Sequence, residues 1–553
     1  MTGKLIVHTP SAYGYPLLIR NLLRTGLAQA PEQEIVYGDH RRLTYREFGE
    51  RVNRLASALA TLGVTAGQTV GVMDWDSHRY LECFFAIPMM GAVLHTINVR
   101  LSPEQILHTI NHADDDVVLV NAEFLSVLES IWDRVDPGKK LVLMNDTRKE
   151  PETSLPLAGE YEALLGIASP DYAFPELDEN TQATTFYTTG TTGLPKGVYF
   201  SHRQLVLHTL GVRAALSGSG QGRIRSDDVY MPITPMFHVH AWGMPYLATS
   251  LGLKQVYPGR YVPDHLCELL TREHVTFSHC VPTILQMILG AAAKKALDLS
   301  RWKVIIGGAA LPRALARQAL DMGIDVFTGY GMSETGPVVT LAQLQPHMAD
   351  WDLDRQAEIR CLTGRVVPMA QVRIVDEAMN DVPHDGQSSG EIVVRSPWLT
   401  QGYYKDEANS EKLWAGGWLH TGDIGVMDRD GWLKITDRLK DVIKTGGEWV
   451  SSLDVEDLLT RHPAVAEAAV VGVPDPKWSE RPMAVVVLKQ DAQATQAELK
   501  AHVREFAGRG LISAYAVPEH VMFADELPKT SVGKIDKKWL REEYVLTTDS
   551  TKG

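Results

Sequence analysis

Cysteine is scarce in this sequence. The four present, Cys83, Cys267, Cys280 and Cys361, lie far apart and form no CxxC pair. Neither a zinc site nor a disulfide framework follows from that spacing, and a reducing compartment fits it. Positive charge is also in deficit: 54 Lys and Arg stand against 68 Asp and Glu, a formal net charge of −14. This excludes the basic footprint of a general nucleic-acid binder, so any anionic ligand must meet locally gathered cations. Long apolar runs are missing too. The opening MTGKLIVHTPSAYGYPLLIRNLL has no apolar stretch behind a basic start, and no uncharged stretch reaches membrane-spanning length. The chain is therefore expected to lack a transmembrane segment and to be cytoplasmic.

What the sequence does have is size and an ordinary globular balance. At 553 residues, 44% apolar and 22% charged, it exceeds what one core supports and predicts two or more domains. From Leu43, TYREFGERVNRLASALATLG sets Phe48, Val52, Leu55, Leu59 and Leu62 at helical spacing, with Gly63 as a stop. The strand-like TVGVMDW, a helix over His78–Met90 and a strand over Ala92–Ile97 follow. Similar units recur at Val117–Val120, Leu141–Met144, Lys254–Tyr257 and Lys303–Ile306. This alternation predicts largely parallel sheets covered by helices. After about Thr363, QVRIVDE, GEIVVRS and GWLKITD are short strands with close turns, which predicts an antiparallel, barrel-like subdomain. Beyond Arg438 a small α+β unit is expected. The reading is thus an α/β protein: a large N-terminal domain over 1–437, a connection at 438–440, and a C-terminal domain over 441–553.

The sharpest local signal is YTTGTTGLPKG, Tyr187–Gly197. Glycines such as Gly190 let backbone N–H groups approach an anion, Thr188, Thr189, Thr191 and Thr192 add hydroxyl donors, and Lys196 adds charge. The run reads as a phosphate loop, although its spacing is not GxxxxGK[ST]. A Gly/Thr-rich stretch alone is as often a solvated surface loop. Six further motifs follow in order: PMFHVHAWG (Pro235–Gly243), GGAAL (Gly307–Leu311), GYGMSET (Gly329–Thr335), WLHTGD (Trp418–Asp423), DRLKDVIKTGGEW (Asp437–Trp449) and PKTSVGKIDK (Pro528–Lys537). Singly, Asp423 reads as a solvated Gly-Asp turn, Lys534 as a surface charge and Trp242 as packing.

As an ordered set, from about Leu43 to Tyr544, the motifs resemble the adenylate-forming superfamily of acyl-CoA synthetases, luciferases and peptide-synthetase adenylation domains. Within it they are most similar to bacterial medium- and long-chain fatty acyl-CoA synthetases. The resemblance implies ATP, Mg²⁺ and coenzyme A as cofactors, a carboxylic acid as substrate and an acyl-adenylate intermediate. It implies that Thr188 to Thr192 and Lys196 cradle the β- and γ-phosphates, that Glu334 holds Mg²⁺, and that Thr335 meets the α-phosphate. Asp423 and Arg438 are assigned to the ribose, and Tyr330 to the adenine with Gly308, Gly329 and Gly331 giving close backbone access. Lys534 is assigned to the adenylation step. Lys440 matches a hinge about which a mobile C-terminal domain rotates, bringing in Lys444, with Gly446 and Gly447 lining the path of the CoA thiol.

His238 and Trp242 match fatty-acyl members, with the histidine near the carboxylate and the tryptophan gating the acyl site; Gly308 also borders that site. Amino-acid-activating relatives carry an Asp where His238 stands, which disfavours an amino-acid substrate. A CoA ligase for a short, sulfur-containing or aryl acid, and a luciferase-like oxygenase, are the alternatives. Four more histidines, His202, His208, His240 and His420, read as packing or hydrogen-bonding residues. Before Val517-Pro518 the chain has Ile512-Ser513-Ala514-Tyr515 where relatives have a basic residue and Trp, so its CoA contacts differ there. The resemblance further implies a homodimer.

Overall fold

The computed structural model describes residues 3–147, 149, 151–188, 194–439, 441–445, 448–475, 477–509, 512–529 and 535–550, the side chains of 444, 448, 449 and 544–550 apart. The helix Tyr45–Thr61 shows how the sequence pattern becomes structure. Thr44 and Glu47 form a reciprocal capping box, and Phe48, Val52, Leu55 and Leu59 then fall on one buried face. Gly63, at φ +92, ends the turn.

That helix covers a seven-stranded sheet in the order Leu157–Glu160, Lys140–Met144, Asp115–Asn121, Thr69–Met73, Val93–Thr96, Gln182–Tyr187, Gly197–Ser201. All pairs are parallel except the last. Thr69–Met73 and Val93–Thr96 are buried along their whole length, the mark of a parallel strand covered on both faces. A second sheet has nine strands: Arg365–Val366, Val338–Leu341, Asp325–Gly331, Lys303–Ile306, Phe277–Cys280, Val229–Pro232, Lys254–Tyr257, Glu34–Tyr37, Arg41–Thr44. Its interior is parallel and its two edges antiparallel.

The third sheet is antiparallel, as expected, and four-stranded, Gln371–Val375, Gly390–Arg395, Leu419–Met427, Leu433–Arg438, but among the described residues it is an open row and not the closed barrel that the strand pattern suggested, with helix Glu407–Leu413 between its second and third strands. The fourth, five-stranded, sheet begins past Arg438 and packs on Ser452–Thr460 and Gln496–Gly508 around Val455, Leu459, Val470, Val486 and Val503. Among the described residues no helix is long and apolar enough to cross a membrane. The histidines behave as expected. His202 Nδ1 accepts from Ile19 N at 3.3 Å, His208 Nε2 accepts from Val338 N at 3.1 Å, and His420 Nδ1 lies 2.9 Å from Glu391. His240 is buried against Phe84, Phe186 and Phe200.

Candidate active site

The phosphate-loop motif closes the antiparallel edge of the first sheet. Tyr187 pairs with Gly197, and at the neck Thr188 N donates to Lys196 O at 2.8 Å while Lys196 N donates to Thr188 Oγ1 at 3.4 Å. Thr188 and Lys196 are thus brought together. Thr189, Gly190, Thr191 and Thr192 lie outside the described residues. Lys196 Nζ stands 4.6 Å from the ring centroid of Tyr403, whose hydroxyl donates to Glu334 Oε1 at 2.7 Å. One tyrosine therefore links the loop's cation to the carboxylate of GYGMSET.

Glu334 is buried and presents a hard oxygen donor, which fits the Mg²⁺ that the sequence resemblance implies. Burial pushes its carboxyl above the usual range, opposed by the Tyr403 hydroxyl. Gly331 is dictated by space: a Cβ there would stand 1.7 Å from Pro337 O. Thr335 Oγ1 donates to Pro337 O and accepts from Met332 N at 2.9 Å, so here its hydroxyl shapes the loop.

Tyr330, Asp423 and Arg438 come from three motifs and meet. Asp423 is 3% exposed; its Oδ2 accepts from Tyr330 OH at 2.7 Å and its Oδ1 lies 3.0 Å from Arg438 Nε. Strand register does the aligning, because Asp423 and Arg438 are direct partners between Leu419–Met427 and Leu433–Arg438. Burial and the Asp423 charge push the Tyr330 hydroxyl well up, so it remains a donor. The Asp423 charge raises Arg438, with desolvation opposing.

The PMFHVHAWG motif approaches the strand that carries Tyr330. Trp242 is buried with its ring 5.0 Å from that of His279, and a Cβ on Gly307 would stand 2.8 Å from the Trp242 ring and 2.9 Å from Gly329 O. That glycine, beside Gly308, is thus approached both by the Trp242 ring and by the Gly329 carbonyl of strand Asp325–Gly331. His279 in turn lies 2.8 Å from Tyr230 OH, and burial lowers it to about 3. The backbone carrying Trp242 is unusual: Val239, His240, Ala241, Trp242 and Gly243 all have φ between 46 and 72. Each non-glycine residue in that left-handed region costs about 1–2 kcal/mol.

In the C-terminal domain Lys444 lies in strand Ile443–Thr445 opposite Trp449. Lys440, Gly446, Gly447 and Lys534 lie outside the described residues. Sequence reasoning missed Tyr403, Tyr230 and His279. Tyr403 and Glu334 are 69 residues apart and share no spacing rule, so only the adjacency of TQGYY to the third sheet was available as a signal.

Residues 23–404 match the AMP-binding enzyme family and residues 454–534 match the C-terminal domain of AMP-binding enzymes. The chain belongs to this family of adenylate-forming enzymes. It is 42% identical over 512 residues to a long-chain-fatty-acid–CoA ligase of Thermus thermophilus, covering 92% of this chain and 91% of that one. It is 37% identical to a 3-methylmercaptopropionyl-CoA ligase of Ruegeria lacuscaerulensis, covering 96% and 97%. Its fold matches the crystal structure of the anthranilate CoA ligase AuaEII with anthranoyl-AMP, at a TM-score of 0.83 and 25% identity over 97% of this chain and 99% of that one.

Proposed function

We propose that this chain is an AMP-forming ligase that joins a medium- or long-chain fatty acid to coenzyme A in the cytoplasm. The observation that carries the reading is the setting of Gly307, where a Cβ would collide both with the Trp242 ring of PMFHVHAWG and with the Gly329 carbonyl of GYGMSET. An acid placed by His238 and Trp242 would lie against a nucleotide held by Asp423, Arg438 and Tyr330. Its carboxylate oxygen bonds to the α-phosphorus as the bond to pyrophosphate breaks, giving acyl-AMP. The CoA sulfur then bonds to the acyl carbon and AMP leaves.

Asp423 offers two acceptor oxygens, the number that a ribose diol needs. Lys196, on the Tyr403 face beside Glu334, supplies fixed charge at the phosphates, where such preorganised charge is most effective. Mg²⁺ at Glu334 would neutralise charge on the departing pyrophosphate. The domain division at 438–440, rotation about Lys440, the role of Lys534 in adenylation and that of Lys444, Gly446 and Gly447 in thioester formation complete the reading, as does a homodimer. The test is CoA-dependent AMP and pyrophosphate release over a panel of acids. Saturated medium- and long-chain acids should give the highest kcat/KM. Preference for methylthio or aryl acids would move the substrate to the second class, and AMP release without CoA but with O₂ uptake would sink the ligase reading.

A further inference from the structure

Resting on that reading, we infer that Asp76 is a positioning residue for acyl recognition, because it clamps the entry to the strained turn that follows His238 and carries Trp242. A run of left-handed residues that includes β-branched Val239 persists only where its surroundings over-determine it. The entry to the run is held from the first sheet. Asp76, 2% exposed and just past strand Thr69–Met73, accepts from Met236 N on Oδ1 at 2.8 Å. Thr96, ending the neighbouring strand Val93–Thr96, donates to Phe237 O at 3.0 Å.

Asp76 also binds the chain beyond strand Lys254–Tyr257. Its carbonyl accepts from Gly259 N at 2.9 Å, and its Oδ2 accepts from Tyr261 OH at 2.5 Å. One buried side chain thus joins the end of a first-sheet strand to two loops of the second sheet, and one of those loops opens the acyl motif. No residue of the nucleotide cluster touches it in the contacts above. Loss of its oxygens leaves Met236 N–H unpaired at the entry to the turn, which frees the turn to relax and moves Trp242. The acid site should suffer and the nucleotide site should not.

The experiment compares Asp76→Ala, Asp76→Asn and Tyr261→Phe with the wild type over saturated fatty acids of increasing length. It reads KM for acid and for ATP separately, with thermal unfolding alongside. Asp76→Ala should raise the acid KM about tenfold and flatten the length preference, while the ATP KM stays within about twofold. Asp76→Asn, which keeps an acceptor for Met236 N, should restore the wild-type profile, and Tyr261→Phe should shift it partway. If the Ala variant does not fold, Tyr261→Phe decides. An unchanged acid profile, or equal losses for acid and ATP that Asn does not rescue, overturns the clamp. A wild type that adenylates no fatty acid overturns the functional reading instead.

Discussion

Tyr403 touches two residues of opposite charge, and the two contacts use different parts of the side chain. Its hydroxyl serves Glu334 at 2.7 Å and its ring face serves Lys196 at 4.6 Å. The two can therefore be separated by substitution. Tyr403→Phe removes the donor that orients the Glu334 carboxylate but keeps the ring. It should change the Mg²⁺ concentration for half-maximal activity several-fold and leave ATP affinity at saturating Mg²⁺ within about twofold. Tyr403→Leu also removes the cation–π contact, worth about 0.5–1 kcal/mol, so ATP should bind about two- to fivefold more weakly as well. Calorimetric titration with nucleotide and metal checks both without relying on turnover. If Phe and Leu behave alike towards metal and nucleotide, Tyr403 only fills space.

Among the elements, the second sheet's edge hairpin is tied to helix Pro263–Arg272 by a buried carboxylate, beside the more exposed Glu34 that meets the same two cations. Glu273, at the C-terminal end of helix Pro263–Arg272, is buried between Arg42 Nη2 at 2.9 Å and Lys254 Nζ at 2.8 Å. Burial would raise its carboxyl, but the hydrogen bonds and charges of Lys254 and Arg42 prevail and hold it at about 2. A carboxyl depressed in the fold stabilises above its unfolded value, near 4.5, and that contribution is lost as pH falls towards 2. Glu273→Gln should cost about 2 kcal/mol near neutral pH. The gap from wild type in urea midpoint should shrink as pH falls below about 4; a gap that is constant with pH would show that Glu273 acts by packing alone. Helix Tyr45–Thr61 was legible because its apolar spacing and the Gly63 stop agree, and Lys254–Tyr257 and Lys303–Ile306 were legible as units of the helix–strand alternation. Which sheet each strand joins was not. Glu34–Tyr37 pairs with Lys254–Tyr257 through contacts that no local pattern encodes. The motifs disclosed Asp423, Tyr330 and Arg438, but not the left-handed turn. Only Gly243 of its five residues favours positive φ, and Asp76 and Thr96 bind the chain just ahead of the run, at Met236 N and Phe237 O, through contacts that no local pattern encodes.

At the scale of the whole molecule, the C-terminal domain grips the third sheet through a short polar seam just before the proposed hinge. Ser451 Oγ donates to Thr436 O, Ser452 N donates to Asp437 Oδ2 at 2.7 Å, and Lys434 pairs with Asp454 at 2.6 Å. Lys537, just past PKTSVGK, pairs with Glu456 at 2.7 Å and donates to Ser452 Oγ at 2.6 Å. The strand bearing Lys444 and the helix from Lys537 therefore belong to one body, and the contacts named between it and the third sheet are polar, which water can replace more readily than an apolar core. If that body rotates about Lys440, Lys534 and Lys444 act in turn and not together. Lys534→Ala should then lose acid-dependent pyrophosphate–ATP exchange yet still convert supplied acyl-AMP to acyl-CoA, and Lys444→Ala should do the reverse. Each removes an interaction made in one transition state, so each should depress its own half-reaction by orders of magnitude. Lys440→Pro should resemble Lys444→Ala, because fixing φ at the hinge would block the turn after adenylate forms. Both half-reactions are to be measured separately for all three folded variants. Equal loss of both in the two Ala variants would mean that one arrangement of the domains carries out all of the chemistry, and the rotation would have to be abandoned.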